Sequence, residues 1–78
     1  MARFFFHLHD DAIVRDEDGL ELPDAAAAHR EAVRNARALI ADQALKGRVD
    51  LSHYLRVEDE EGREVLVLPF AEALEIAR

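Results

Sequence analysis

His7 and His9 stand two residues apart and run directly into Asp10 and Asp11. In an extended strand, residues i and i+2 project from the same side. Both imidazoles then share one face, with carboxylates just beyond them. Two imidazoles and a carboxylate form a donor set for zinc or another divalent ion. The plainer reading leaves His7 and His9 in solvent on the outside of a sheet, because a closed site needs third and fourth ligands that the local sequence does not supply. The expectation is no metal site, no cofactor and no catalytic residue.

The remaining chemistry-bearing residues are more scattered. His29 falls inside the apolar stripe of a helix, where it reads as a partly buried, hydrogen-bonded histidine. The functional alternative is a ligand or base reaching toward the sheet. His53 precedes a strand with nothing catalytic beside it. The carboxylates of residues 16–18 and 58–61 are dense but lack the alternating ligand spacing of a calcium loop. They read as solvated hairpin tips. Arg30, Arg34 and Arg37 make the one basic stripe, which reads as a solvated helix face with pairs such as Glu31 to Arg34. Its alternative is a dock for an acidic partner or a phosphate. One serine, Ser52, no threonine and no cysteine leave almost nothing for nucleophilic catalysis.

Something must hold these side chains in place, and the 78 residues allow one domain, 1–78. Of the apolar residues 14 are alanine, so the core is lighter than the 50% apolar content suggests. A chain this short buries roughly 60–65% of its unfolded surface, which favours a partner or a second copy. Ten basic and 17 acidic residues give a net charge of −7, spread along the chain. That sign disfavours nucleic acid and anionic lipid. No apolar run approaches a membrane span, and the start does not read as a signal peptide. A cytoplasmic protein is expected.

Residues 2–9 read as a strand, with Phe4, Phe6 and Leu8 on one face and Arg3, Phe5, His7 and His9 on the other. Residues 10–19 read as an acidic connection holding the apolar pair Ile13-Val14. Leu20 to Leu22 read as a short strand stopped by Pro23. Asp24 then N-caps a helix from about Ala25 to Lys46, with Gly47 just past its end. Its stripe is Ala28, Ala32, Val33, Ala36, Leu39 and Ile40. Tyr54 to Glu58 and Glu64 to Leu68 flank a turn with left-handed Gly62. The second of these strands is apolar on both faces and reads as central or doubly covered. A short helix over Phe70 to Ala77 closes the order, with Leu74, Phe70 and Ala77 turned inward. The fold class expected is α+β, a small antiparallel sheet in β-β-α-β-β-α order with one long helix on one face. A similarity between residues 16–45 and 59–77 reads as a shared turn solution and not a duplication.

Arg3-Phe4-Phe5-Phe6-His7-Leu8, Asp16-Glu17-Asp18-Gly19, Leu22-Pro23-Asp24 and Pro69-Phe70 resemble a group of small bacterial proteins, the domain of unknown function 6894. The resemblance spans essentially the whole chain. It implies a stand-alone cytoplasmic protein and carries over no catalytic residue. A weaker likeness joins Leu22-Pro23-Asp24, Glu31-Ala32 and Asn35-Ala36-Arg37 to the amino-terminal domain of HicB-type antitoxins, which pair with a small toxin. The chain lacks that family's Gly-Cys segment and Thr-x-Glu-Glu helix entry. The expected function is a non-enzymatic domain acting through self-association, as a homodimer, or through a protein partner of unknown identity. An antitoxin-like role is the alternative, and a metal binder or metal-dependent enzyme on His7 and His9 comes third.

Overall fold

A computed structural model describes residues 1–77. Five strands and one long helix form an α+β fold: β1 (Ala2–His9), β2 (Ile13–Val14), β3 (Leu20–Leu22), α1 (Ala25–Leu45), β4 (Tyr54–Glu58) and β5 (Glu64–Pro69), followed by a 3-10 turn over Phe70–Ala73. All pairings are antiparallel. The sheet runs β2-β1-β4-β5, and β3 joins the same edge of β1 as β2. β2 takes the end of β1 at Leu8 and His9, while β3 takes the end from Ala2 to Phe4. Ile13-Val14 is therefore a strand and not part of a connection.

Alternation along β1 and β4 divides the sheet into two chemistries. Phe4, Leu55, Val57 and Leu68 face the helix and are buried with Ala28, Ala32, Ala36, Ile40, Phe70 and Ala73. His7, His9, Tyr54, Arg56 and Glu58 belong to the alternate positions and face away. The helix starts at Asp24, whose Oδ1 accepts from the Ala27 N–H at 2.8 Å. It ends in a Schellman arrangement, with Arg48 N–H bonding Gln43 O and Gly47 N–H bonding Ala44 O. Gln43 then ties down the following loop, accepting from Asp50 N–H through Oε1 and meeting His53 Nδ1 through Nε2.

The alanine row places α1 close against the sheet, and it also explains where His29 goes. Buried positions Ala28, Ala32, Ala36 and Ile40 advance by four residues. Each step rotates the contact by about 40°, since four residues exceed one turn of about 3.6. At the first turn the contact has moved to Ala27 and Ala28, so His29 is left exposed. The expected partly buried histidine is not there.

Two other expectations change. β5 is the outermost strand, not a central one, because the chain after Pro69 turns beneath the sheet instead of adding a strand beside it. The terminal helix is only the 3-10 turn. Phe70 is fully buried there, with its N–H on His53 O at 2.8 Å, whereas Leu74 and Ala77 are exposed. Arg37 is drawn to this turn: its Nε donates to Ala73 O at 2.8 Å. It is therefore not part of a purely solvated basic stripe, although Arg34 pairs with Glu31 at 3.7 Å as the spacing suggests.

Candidate functional site

On the outer face, β1, β2 and β4 bring His7, His9, Ile13, Arg15, Arg56 and Glu58 around a cavity of about 200 Å³. The shared strand face of His7 and His9 was legible in their spacing. The surroundings of His7 were not, because they come from Asp16 and Glu58, nine and 51 residues away. His7 is only 6% exposed. It is thus a buried side chain, contrary to the solvent-facing role expected of it.

Both nitrogens of His7 are occupied. The Asp16 backbone N–H donates to Nδ1 at 3.1 Å, so Nδ1 presents its lone pair and carries no proton in this arrangement. Nε2 then carries the hydrogen and donates to Glu58 Oε1 at 3.0 Å. Glu58 Oε2 in turn lies 3.0 Å from Arg56 Nε. That last contact is ionic without hydrogen-bond geometry, since Arg56 Nε is buried with no hydrogen-bond partner. His9 does not converge on the same point as a ligand pair would. It stacks on Tyr54, with ring centroids 4.6 Å apart.

A metal ion needs a free nitrogen lone pair, and the one lone pair of His7 is already bonded. Among the described residues no group of three or more His, Asp or Glu side chains is placed to hold an ion. Adding a chelator should therefore leave the melting curve of the protein unchanged. A large drop in Tm would reveal a structural ion whose binding contributes to folding.

Asp16 was read as part of a solvated tip, but it organises the turn that lies over β1. Its Oδ1 accepts from Asp18 and Gly19 N–H at 3.2 and 3.1 Å, and its Oδ2 accepts from Phe6 N–H at 3.1 Å. Burial pushes its carboxyl up, but the N–H bonds from Gly19, Phe6 and Asp18 together hold it below the usual aspartate value. A folded-state value below the unfolded one stabilises the fold at pH above the unfolded value. That contribution is lost as pH falls through the folded value. Calorimetry should show Tm declining below about pH 4. Asp16→Asn, which cannot ionise, should show a shallower decline, with the remainder carried by groups such as Asp50 and Asp59, also held low.

The turn shields part of the outer face expected to be bare. A Cβ on Gly19 would fall 2.8 Å from Phe5 Cε2 and 2.9 Å from Arg3 Cγ. A second, larger concavity of about 490 Å³ lies toward the helix side, between α1 and the β2–β3 edge, and its lining is mainly apolar. Sequence reasoning missed it. Its one signal was Val14, an apolar residue within an acidic segment, whose neighbour Ile13 lines the outer-face cavity instead.

Comparison with known proteins places the chain in a family. Residues 3–71 fit the family model described as Domain of unknown function (DUF6894). No curated protein matches, so the HicB-type likeness has no counterpart there, and no solved structure matches. No helix among the described residues is long and apolar enough to cross a membrane.

Proposed function

We propose that this chain, which belongs to the DUF6894 family, is a non-enzymatic bacterial cytoplasmic domain that acts by pairing with a second copy of itself. The reading is carried by β5. Among the described residues this strand has β4 on one side and no strand on the other. The Phe70 N–H to His53 O bond sets the phase of the ladder. Alternate pairs Leu55↔Leu68 and Val57↔Leu66 then exchange hydrogen bonds, so Val67 turns its N–H and C=O away from β4. Val67 is 42% exposed.

An apolar edge strand with unsatisfied direction is a template for another strand, and sheets normally guard such edges with charge, proline or cover. β5 carries Glu64 and Pro69 only at its two ends, and the Val65 to Leu68 stretch between them has neither charge nor proline. An antiparallel copy related by a two-fold axis meets the same edge with the same spacing. The engaged state of His7, with neither nitrogen available to a substrate, supports a non-catalytic role, and the cysteine-free acidic composition supports a cytoplasmic setting.

Light scattering at micromolar concentration should give twice the 8.8 kDa mass of the chain. Val67→Lys should return it to a single chain while leaving its circular dichroism unchanged. A single-chain mass for the unaltered protein would sink the proposal.

A further inference from the structure

The edge opposite β5 has a different construction. β2 and β3 cover the two ends of β1, and residues 15–19 span the gap between them. Beside this span, toward the helix, lies the 490 Å³ groove. Phe6, Leu8, Leu39 and Leu55 line it, and Val14 and Leu20 join them from the sheet edge. Those two are 55% and 41% exposed. The volume lies within the range of about 300–1,000 Å³ typical of pockets that bury a ligand or anchor group. Of the polar groups lining the groove, the Asp16 carboxylate is already committed to three backbone N–H groups.

The groove itself is lined by one cation, Arg15, and the committed Asp16, but the segment that supplies them is strongly acidic. Six of the 17 acidic residues fall within residues 10–21, against one basic residue, Arg15. Asp10, Asp11, Glu17 and Asp18 are all exposed. On the helix side, Glu31 lies four residues before Asn35 and Asp42 four after Ala38, but Arg34 lies four before Ala38 and Lys46 four after Asp42, so this wall carries both signs. The charges of Glu31 and Asp42 are partly answered by Arg34 at 3.7 Å and Lys46 at 3.0 Å. The 10–18 segment has no such internal balance beyond Arg15.

We propose that this groove docks a basic polypeptide segment that inserts aliphatic side chains between α1 and the β2–β3 edge. Apolar anchors would cover Val14 and Leu20 and fill the space above Phe6 and Leu39. Flanking lysines or arginines would face the carboxylates of residues 10–18. Charge of this sign speeds encounter with a cationic partner and repels an acidic one, while the apolar floor selects for anchors of the right size. The surface is separate from the β5 edge, so it does not depend on self-pairing.

The test uses two synthetic helical peptides with leucine at i, i+3, i+4 and i+7. One carries lysine at the intervening positions and the other glutamate. Amide chemical shifts of the full chain should move for the lysine peptide, clustered on Phe6, Leu8, Val14, Leu20 and Leu39, and not for the glutamate peptide. Replacing Val14→Ser together with Leu20→Ser should weaken binding about tenfold with shift dispersion retained. Val67→Lys, on the other edge, should leave it unaltered. Equal binding of both peptides, no binding, shifts centred elsewhere, or an unchanged affinity in the double variant would each overturn the proposal. Because the peptide pair is compared on the unaltered protein, the result stands even if the double variant does not fold.

Discussion

Ala32→Glu should unfold the protein. Ala32 is 0% exposed and sits between Ala28 and Ala36 on the row that meets the sheet. Nothing there has room for a longer side chain, and overpacking a close-packed layer costs about 1–3 kcal/mol. The carboxylate would also be desolvated without a partner, at a cost of several kcal/mol more. A domain of this length has about 4–12 kcal/mol of stability in all. Circular dichroism should show no cooperative melt for this variant. Ala41→Glu, at an exposed position of the same helix, should melt near the unaltered protein. Indistinguishable melts for the two variants would mean that α1 buries a different row.

Gly19→Val should be the second most damaging change. Gly19 adopts φ +71°, in the left-handed region that costs a residue with a side chain about 1–2 kcal/mol. Space makes matters worse. A Cβ there meets Phe5 Cε2, Arg3 Cγ and the Phe4 carbonyl oxygen, the last at 3.0 Å. The aromatic and arginine side chains can swing away, but the carbonyl belongs to the central strand and cannot. Two of the hydrogen bonds to Asp16 Oδ1 also depend on this turn. The combined loss should reach about 2–5 kcal/mol, from backbone strain and overpacking together, read as a lower midpoint in urea. By contrast Gly62, which also has a positive φ of +78°, has nothing within 4 Å of its Cβ position. Gly62→Ala should therefore cost only the conformational part.

Local rules carried the reading of the sequence furthest where the determining residues are neighbours. Asp24 and Gly47 bracket α1, the alternation in 2–9 separates Phe4 from His7, and Asp59 to Gly62 makes the turn between β4 and β5. The misreadings are all non-local. His29 lies within the expected stripe by angle, but the slant of the helix across the sheet decides which end of that stripe is covered. The Val65 to Leu68 run has the composition of a central strand. Its position at the edge follows from where the chain goes after Pro69, which hydrophobicity does not encode. His7 and Asp16 each look polar and solvated alone. Both become half-buried or buried because the 15–19 turn folds onto β1, and that closure depends on the space left by Gly19.

The two-sided pairing of β1 also bears on the order in which the molecule can assemble as it is made. Its partners on one edge follow within a few residues: Leu8 meets Val14, and Phe4 meets Leu20. Its partner on the other edge is remote, with Phe5 opposite Glu58. Synthesis proceeds from the amino terminus, so a nascent chain can close β1 onto β2 and β3 early. It cannot complete the ladder of β1 on β4 until residue 58 has emerged. Throughout that interval Phe4, Phe6 and Leu8 have neither the completed sheet nor its helix packing to cover them. The long closure from β1 to β4 is entropically the most demanding pairing in the sheet, and contacts of such high sequence separation slow folding. The early β1–β3 closure, with Asp16 bonded to Phe6 N–H, occupies one edge of the strand during the wait. The acidic residues between β1 and β3 then keep the unfinished chain charged while its aromatic face is exposed.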